Sequence, residues 1–392
     1  MDLAYGPRYA AFQQQVRDFA ATYGARAPRG GSMAASREWQ QLLLEHGYAA
    51  RTIPKEYGGY GAEPDILESR IIAEEFIAAG LPMGMSGQGI SMLVPTLLEL
   101  GTEAQKKEWI EPTIRGEVLW CQGYSEPGAG SDLASLTTHA VEDRDDFLIN
   151  GQKIWTSSAH FSDMIFCLVR TEPDKPKHHG ISYLLFSMKT PGIEVRPLVT
   201  MTGQAEFNEV FFTDVRVPRS QIVGERGQGW QVANATLKYE RGMLGDPNQA
   251  GTRFKQLVEM AKTETVDGHR LIDSPVWRDR LLKLQARVLA MQFHGLRLLT
   301  ARLTGENPGV AGLIVKLMGC ELNNQLAAFA IDALGELGVL YDGSPHLRAG
   351  GNWQRNYMFD LGLIIGGGTA QIQKNIISER GLGMPREPKL AS

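Results

Sequence analysis

The chain is poor in the features that announce a secreted, membrane-embedded or metal-dependent protein. Three cysteines occur among 392 residues: Cys121, Cys167 and Cys320. They are odd in number and far apart, which argues against a disulfide framework and fits the reducing cytoplasm that is expected as the compartment. The first residues, "MDLAYGPRYAAFQQQ", lack the charged-then-apolar layout of a signal segment, and no run is long and apolar enough to span a bilayer. The eight histidines form no HExxH or CxxC-type set, so no metal site is expected. His178 and His179, in "DKPKHHG", read as part of a solvated turn. Charge of one sign is also missing. A net charge of -4 argues against nucleic acid or an anionic membrane as the main partner.

What is present is ordinary globular material, 43% hydrophobic and 21% charged, long enough for two or three domains and a large core. Up to residue 116 the pattern is helical. Tyr9, Phe12, Val16, Phe19 and Tyr23 line one face, as do Leu67, Ile71, Ile72 and Phe76 before Gly80. Thr102 and Gln105 in "GTEAQKKEWI" match a capping box. From 117 to 226 short β-prone runs take over: "FLINGQKIW", "MIFCLVR", "ISYLLFSM", "IEVRPLV" and "EVFFTDVRVP". Asn150-Gly151 predicts a hairpin turn, and the whole predicts a compact antiparallel barrel or sandwich. From 227 to 392 helices return. Ser274-Pro275 opens one whose apolar stripe is Trp277, Leu281, Leu284, Val288 and Met291. Another is predicted over 310–338, and a last one after the triplet Gly366–Gly368. The fold class is therefore α+β, ordered as helices, β domain, helices.

Three stretches carry candidate chemistry. "GYSEPGAGSDLASL", from Gly123, is a loop whose backbone N–H groups suit an anion or the polar edge of a cofactor. Its glycines lack the βαβ context of a dinucleotide fingerprint, and on spacing alone a plain structural loop is the favoured reading. "KIWTSSAHF" sets a tryptophan beside three hydroxyls, which suits a flat heterocycle and equally suits a core tryptophan at a strand end. "TLKYERGML" carries Glu240 and Arg241. Adjacent charges of this kind usually point to solvent, and the functional alternative is a carboxylate base with a guanidinium for substrate.

Taken together, "YSEPGAGSDLAS", "NGQKIWTS", "FNEVFFTDVRVP" with "GERGQGW", and "GGTAQIQKNIISER" resemble the acyl-CoA dehydrogenase flavoproteins, in order and over nearly the whole chain. The resemblance implies non-covalent FAD and the family's helical, β and helical domains. It implies that Gln122, Ser125 and Ser131 contact flavin or substrate. Trp155, Thr156 and Ser157 would line the flavin ring, with Ser157 near N5, and Thr369 and Gln371 would reach the cofactor. Arg241 matches an arginine near base and substrate, and the backbone of Gly367 and Gly368 would approach the thioester. The implied reaction converts an acyl-CoA to the trans-2-enoyl-CoA, with electron-transferring flavoprotein as acceptor.

Many relatives carry the catalytic glutamate where this chain has Gly367. In another branch the base comes from the helix that here reads "KYERG", which makes Glu240 the candidate base. Two cofactor segments depart from the family pattern. No Arg/Gln-Phe-Gly is recognisable near "GHRLIDSPVW", where Arg270 is the nearest match, and "GELGVLYDG" replaces the usual QxxGGxGY. A homodimer or homotetramer is the default, and these departures add a heteromer with a related chain. Two further readings stay open: a subunit inactive alone, and a flavin oxidase or reductase on the same fold. The acyl group is not specified, and its shape would depend on a pocket floor around "MGMSGQGISML", Met83 to Leu93.

Overall fold

Side-chain caps start three of the five N-terminal helices in the computed structural model, which describes residues 6–241, 244–266, 268–306 and 309–386. The helices α1 (Pro7–Tyr23), α2 (Met33–Glu45), α3 (Ile66–Ala79), α4 (Val94–Leu100) and α5 (Glu103–Ile114) precede the sheet. Ser32 and Asp65 accept N–H bonds from the first turns of α2 and α3, and α3 stops at the left-handed Gly80. Thr102 and Gln105 form the expected reciprocal box at α5. The predicted stripe of α1 faces inward. Val16 and Phe19 are buried with Trp39, Leu43, Ile71 and Phe76, and Tyr9, Phe12 and Tyr23 pack against them.

Eight strands follow: β1 (Trp120–Gly123), β2 (His139–Asp143), β3 (Asp146–Lys153), β4 (Met164–Arg170), β5 (Ile181–Ser187), β6 (Ile193–Leu198), β7 (Phe207–Pro218) and β8 (Ile222–Val223). Their order is β6-β7-β3-β2-β4-β5-β8, with β1 on β4. Most pairs are antiparallel, as expected. However, β1 runs parallel to β4, and β2 meets β4 in parallel through His139 and Arg170. Apolar residues of both flanks, among them Phe147, Ile149, Ile165, Leu184, Val210 and Phe212, enclose one core.

The expected Asn150-Gly151 turn is a correction. The turn between β2 and β3 lies at Arg144-Asp145, with Arg144 at φ 60°. Asn150 and Gly151 sit inside β3, at a register shift against β7. The Asn150 amide donates to Asp214 Oδ1 at 3.0 Å and its oxygen accepts the Asp214 N–H at 2.9 Å. Gly151 has φ 147°, and a Cβ there would stand 2.6 Å from Thr138 Cα. The same permissive dipeptide that makes a good turn here pins a bulge.

The chain divides into two compact units, residues 1–199 with 205–236, and residues 200–204 with 237–392. The division falls inside α6 (Gly229–Arg241). The second unit then holds α7 (Pro247–Thr263), the hairpin β9 (Thr265–Val266) and β10 (His269–Arg270), α8 (Pro275–Leu303), α9 (Ala311–Leu334), α10 (Asn352–Ile365) and α11 (Ala370–Ile376). On α8, Leu281, Val288 and Met291 are buried against Leu326 and Phe329, with Trp277 and Leu284 partly covered. The hairpin interrupts what reads as purely helical sequence. Arg270 lies in it, exposed and bonded to Asp273 at 2.7 Å. The helix predicted over 310–338 ends at Leu334 and continues as a tighter turn to Val339. Among the described residues, no helix is long and apolar enough to cross a membrane.

Candidate active site

Two of the stretches singled out in the sequence meet in the first unit. The Ile154 N–H donates to the Ser125 carbonyl at 2.9 Å. Lys153 Nζ donates to the Tyr124 carbonyl at 3.1 Å and to Glu126 Oε1 at 2.8 Å. Glu126 also accepts the N–H groups of Thr137 and Thr138, at 2.6 and 2.9 Å, and the Thr137 hydroxyl. Burial alone would raise the Glu126 carboxyl; the Lys153 charge and these donors outweigh it and hold its pKa down at about 2.

This buried knot fixes the residues that follow it. Trp155 adopts φ 60°, a left-handed conformation that costs an ordinary L-residue about 1–2 kcal/mol. Trp155 is 58% exposed, and its indole meets the ring of Phe207 edge-on at 5.8 Å between centroids. The Thr156 and Asn208 backbones exchange N–H bonds at 3.1 and 3.0 Å, and Asn208 Nδ2 adds a third to the Thr156 carbonyl. A strained backbone over-determined by its neighbours, carrying an exposed flat indole, is a surface suited to a planar ring. Ser157 is half-buried beside it, whereas Thr156 is fully buried and its hydroxyl has no partner among the described residues.

Gln122 and Ser125 are half-buried and Ser131 is exposed. Gln88, from the stretch expected to floor a pocket, approaches Gln122 Oε1 at 3.5 Å, and its own Oε1 is buried with no partner among the described residues. Platform, hydroxyl and unmet amide together fit a flat heterocycle with a polar edge.

The second unit brings Glu240 to the glycine turn that joins α10 to α11. Gly367 and Gly368 have φ 65° and 94°. A Cβ on Gly367 would collide with Leu244 and stand 3.4 Å from Glu240 Oε1. The left-handed backbone thus favours glycine there, and a side chain would also need Leu244 to shift. Thr369 caps α11 by accepting the Ile372 N–H at 3.2 Å, and Gln371 is exposed on that helix. The Arg241 side chain, with Gly242 and Met243, lies outside the described residues.

Two residues at this turn escape a reading of the sequence. Lys316 on α9 is 2% exposed, and its Nζ donates to the Ile364 and Gly368 carbonyls at 2.9 and 2.6 Å. Burial pushes its pKa down, while Cys320 and Glu240 push it back up. Gln373 Nε2 donates to the Gly367 carbonyl at 3.2 Å. The available signal for Lys316 was a lone charge in the apolar run "GLIVKLMG"; Gln373 offered none.

Family models for the acyl-CoA dehydrogenase N-terminal, middle and C-terminal domains match residues 7–117, 121–215 and 227–382. "Acyl-CoA dehydrogenase IpdE1" of Mycobacterium tuberculosis is 40% identical over 393 residues, covering 96% of this chain and 98% of the relative. Two solved structures match at a TM-score of 0.81, each covering 99% of this chain and 100% of its own. They are the "Tcur3481-Tcur3483 steroid ACAD", 30% identical, and the ChsE4-ChsE5 complex from Mycobacterium tuberculosis, 32% identical.

Proposed function

The chain belongs to the acyl-CoA dehydrogenase family of FAD-dependent oxidoreductases, and from that premise we propose that it desaturates an acyl-CoA thioester to the trans-2-enoyl-CoA with Glu240 as base. The observation that carries this is the Glu240 carboxylate beside Gly367, where the glycine leaves room that Leu244 and Glu240 take up. Bound FAD supplies the acceptor for hydride from the substrate β-carbon.

The chain's own residues do the rest. Glu240 removes the α-proton. The Gly367 N–H donates to the thioester oxygen as negative charge develops there, and Arg241 and Gly368 lie along the substrate. Trp155 and Ser157 line the ring with the Thr156 backbone behind them, while Gln122, Ser125 and Ser131 supply polar contacts. Thr369 accepts a bond as helix cap, which leaves its hydroxyl hydrogen for an acceptor on the cofactor, and Gln371 is exposed beside it. The test is anaerobic mixing with an acyl-CoA panel. Loss of the yellow flavin absorbance is expected, and a protein whose absorbance no member changes is not this dehydrogenase.

One relative is described as a steroid ACAD, which supports an alicyclic, steroid-derived acyl group ahead of a linear one; faster bleaching by linear substrates would reverse that order. Electron-transferring flavoprotein is the proposed acceptor. Equal reoxidation by oxygen would point to an oxidase instead.

A second reading, a subunit of a heteromer, is favoured by "GELGVLYDG" in place of the usual cofactor segment. A relative solved as a complex of two differently named chains supports it. Bound FAD per chain, measured alone and after co-expression with a related chain, separates the two. Full occupancy alone removes the need for a partner.

A further inference from the structure

The glycine turn is held from the protein side at nearly every peptide plane. The Gly366 N–H donates to the Gly362 carbonyl at 2.8 Å. The Gly367 carbonyl takes Gln373 Nε2 at 3.2 Å. The Gly368 carbonyl takes Lys316 Nζ at 2.6 Å, and the same ammonium reaches back to Ile364 at 2.9 Å, in the last turn of α10. Because a peptide unit is planar, each such bond fixes the group on its far side as well. The unit between Gly366 and Gly367 is bracketed by these ties. Its Gly367 N–H makes no hydrogen bond among the described residues.

A buried ammonium is a costly way to close a helix end. The last carbonyls of a helix are ordinarily satisfied by water, a glycine cap or a surface side chain. Here the clasp comes from the apolar run "GLIVKLMG" near the start of α9, and it spans from the end of α10 to the residue before the cap of α11. Gln373 ties the intervening carbonyl from one turn into α11.

We infer that Lys316, assisted by Gln373, is a positioning residue that fixes the turn so that the Gly367 N–H stays unspent as a donor opposite the Glu240 carboxylate. Lys316 touches neither substrate nor cofactor in this account. It acts through the main chain, and the inference rests on the dehydrogenase reading above.

The test uses FAD-loaded protein and a 3-aryl-2-propenoyl-CoA, a conjugated product analogue whose absorption moves to longer wavelength when its thioester oxygen is hydrogen-bonded. Wild type is expected to show that shift. Lys316→Met is expected to lose most of it and to lower kcat by about 10–100-fold, the scale of a misplaced group, with KM moved less than about threefold. Gln373→Met, a milder change, is expected to lose part of the shift, and it decides the matter if Lys316→Met does not fold. A shift and kcat retained in the folded variants overturn the inference alone. A wild type showing neither bleaching by acyl-CoA nor a shift overturns the dehydrogenase reading, and this inference with it.

Discussion

Each of the two units carries one buried lysine beneath its candidate functional residues, and the two lysines keep different company. Lys153, under the Trp155 platform, is fully buried and bonds both a carbonyl and the Glu126 carboxylate. Lys316, under the glycine turn, gives both of its hydrogen bonds to carbonyls. The first arrangement neutralises its charge on the spot, and its result is a rigid strained surface. The second leaves a positive charge within electrostatic reach of Glu240. A compensated pair is suited to holding a shape, whereas an ammonium near a carboxylate also bears on how that carboxylate behaves.

The largest effect should separate the roles of the halves. Glu240→Gln is expected to lower the rate of flavin reduction by about 10²–10⁴-fold while bound FAD per chain stays near the wild-type value, read by stopped-flow and absorbance. Flavin lost in proportion to rate would mean that Glu240 serves binding as well as chemistry.

Stability should distinguish the lysines next. Lys153→Met strands the Glu126 carboxylate and should cost about 3–5 kcal/mol in urea unfolding, as for a broken buried pair. Lys316→Met strands two carbonyls and should cost less, about 1–3 kcal/mol. A reversed order would show that Lys316 is the more structural of the two.

Their pH signatures should lie at opposite ends. The Glu126 carboxyl is depressed from an ordinary 4.5 to about 2, so its contribution is full above 4.5 and is lost as pH falls toward 2. Lys316 has a folded pKa depressed below its ordinary 10.5. The unfolded chain therefore binds the extra proton between those values, and stability should rise with pH there. Urea midpoints against pH should lose the acid limb in Lys153→Met and the alkaline rise in Lys316→Met.

The smallest effect concerns strain. Trp155→Gly relieves the left-handed φ and should raise the stability of the flavin-free protein by about 1 kcal/mol. It should also weaken flavin binding by roughly tenfold, the scale of a lost aromatic contact. Weaker binding without the gain in stability would mean that Trp155 is not strained in solution.

Local chemistry was what the sequence displayed best. The α5 capping box, the inward face of α1 and the α8 stripe follow from spacing that a single segment contains. The Asn150-Gly151 reading failed because both a turn and a bulge want the same permissive residues, and the choice between them depends on Asp214 and Thr138, distant in sequence. The nearness of Glu240 to the glycine turn could be expected only from the family's motifs, since no periodicity joins the two. Lys316 stayed hidden for a related reason. Its partners are carbonyls, which every residue has, so nothing in their letters marks them.

The crowding around Gly367 also constrains how such a site changes over generations. A glutamate introduced there meets Leu244 and stands beside Glu240, so that single substitution brings a steric clash and two like charges together. Losing Glu240 first leaves no carboxylate at the turn from either position. If Glu240 is the base, moving it to the turn needs Leu244 to shift and the left-handed backbone to accept a side chain, so the order of substitutions matters as well as their identity. On that account, the position of the proposed base is a historical commitment that one mutation does not reverse.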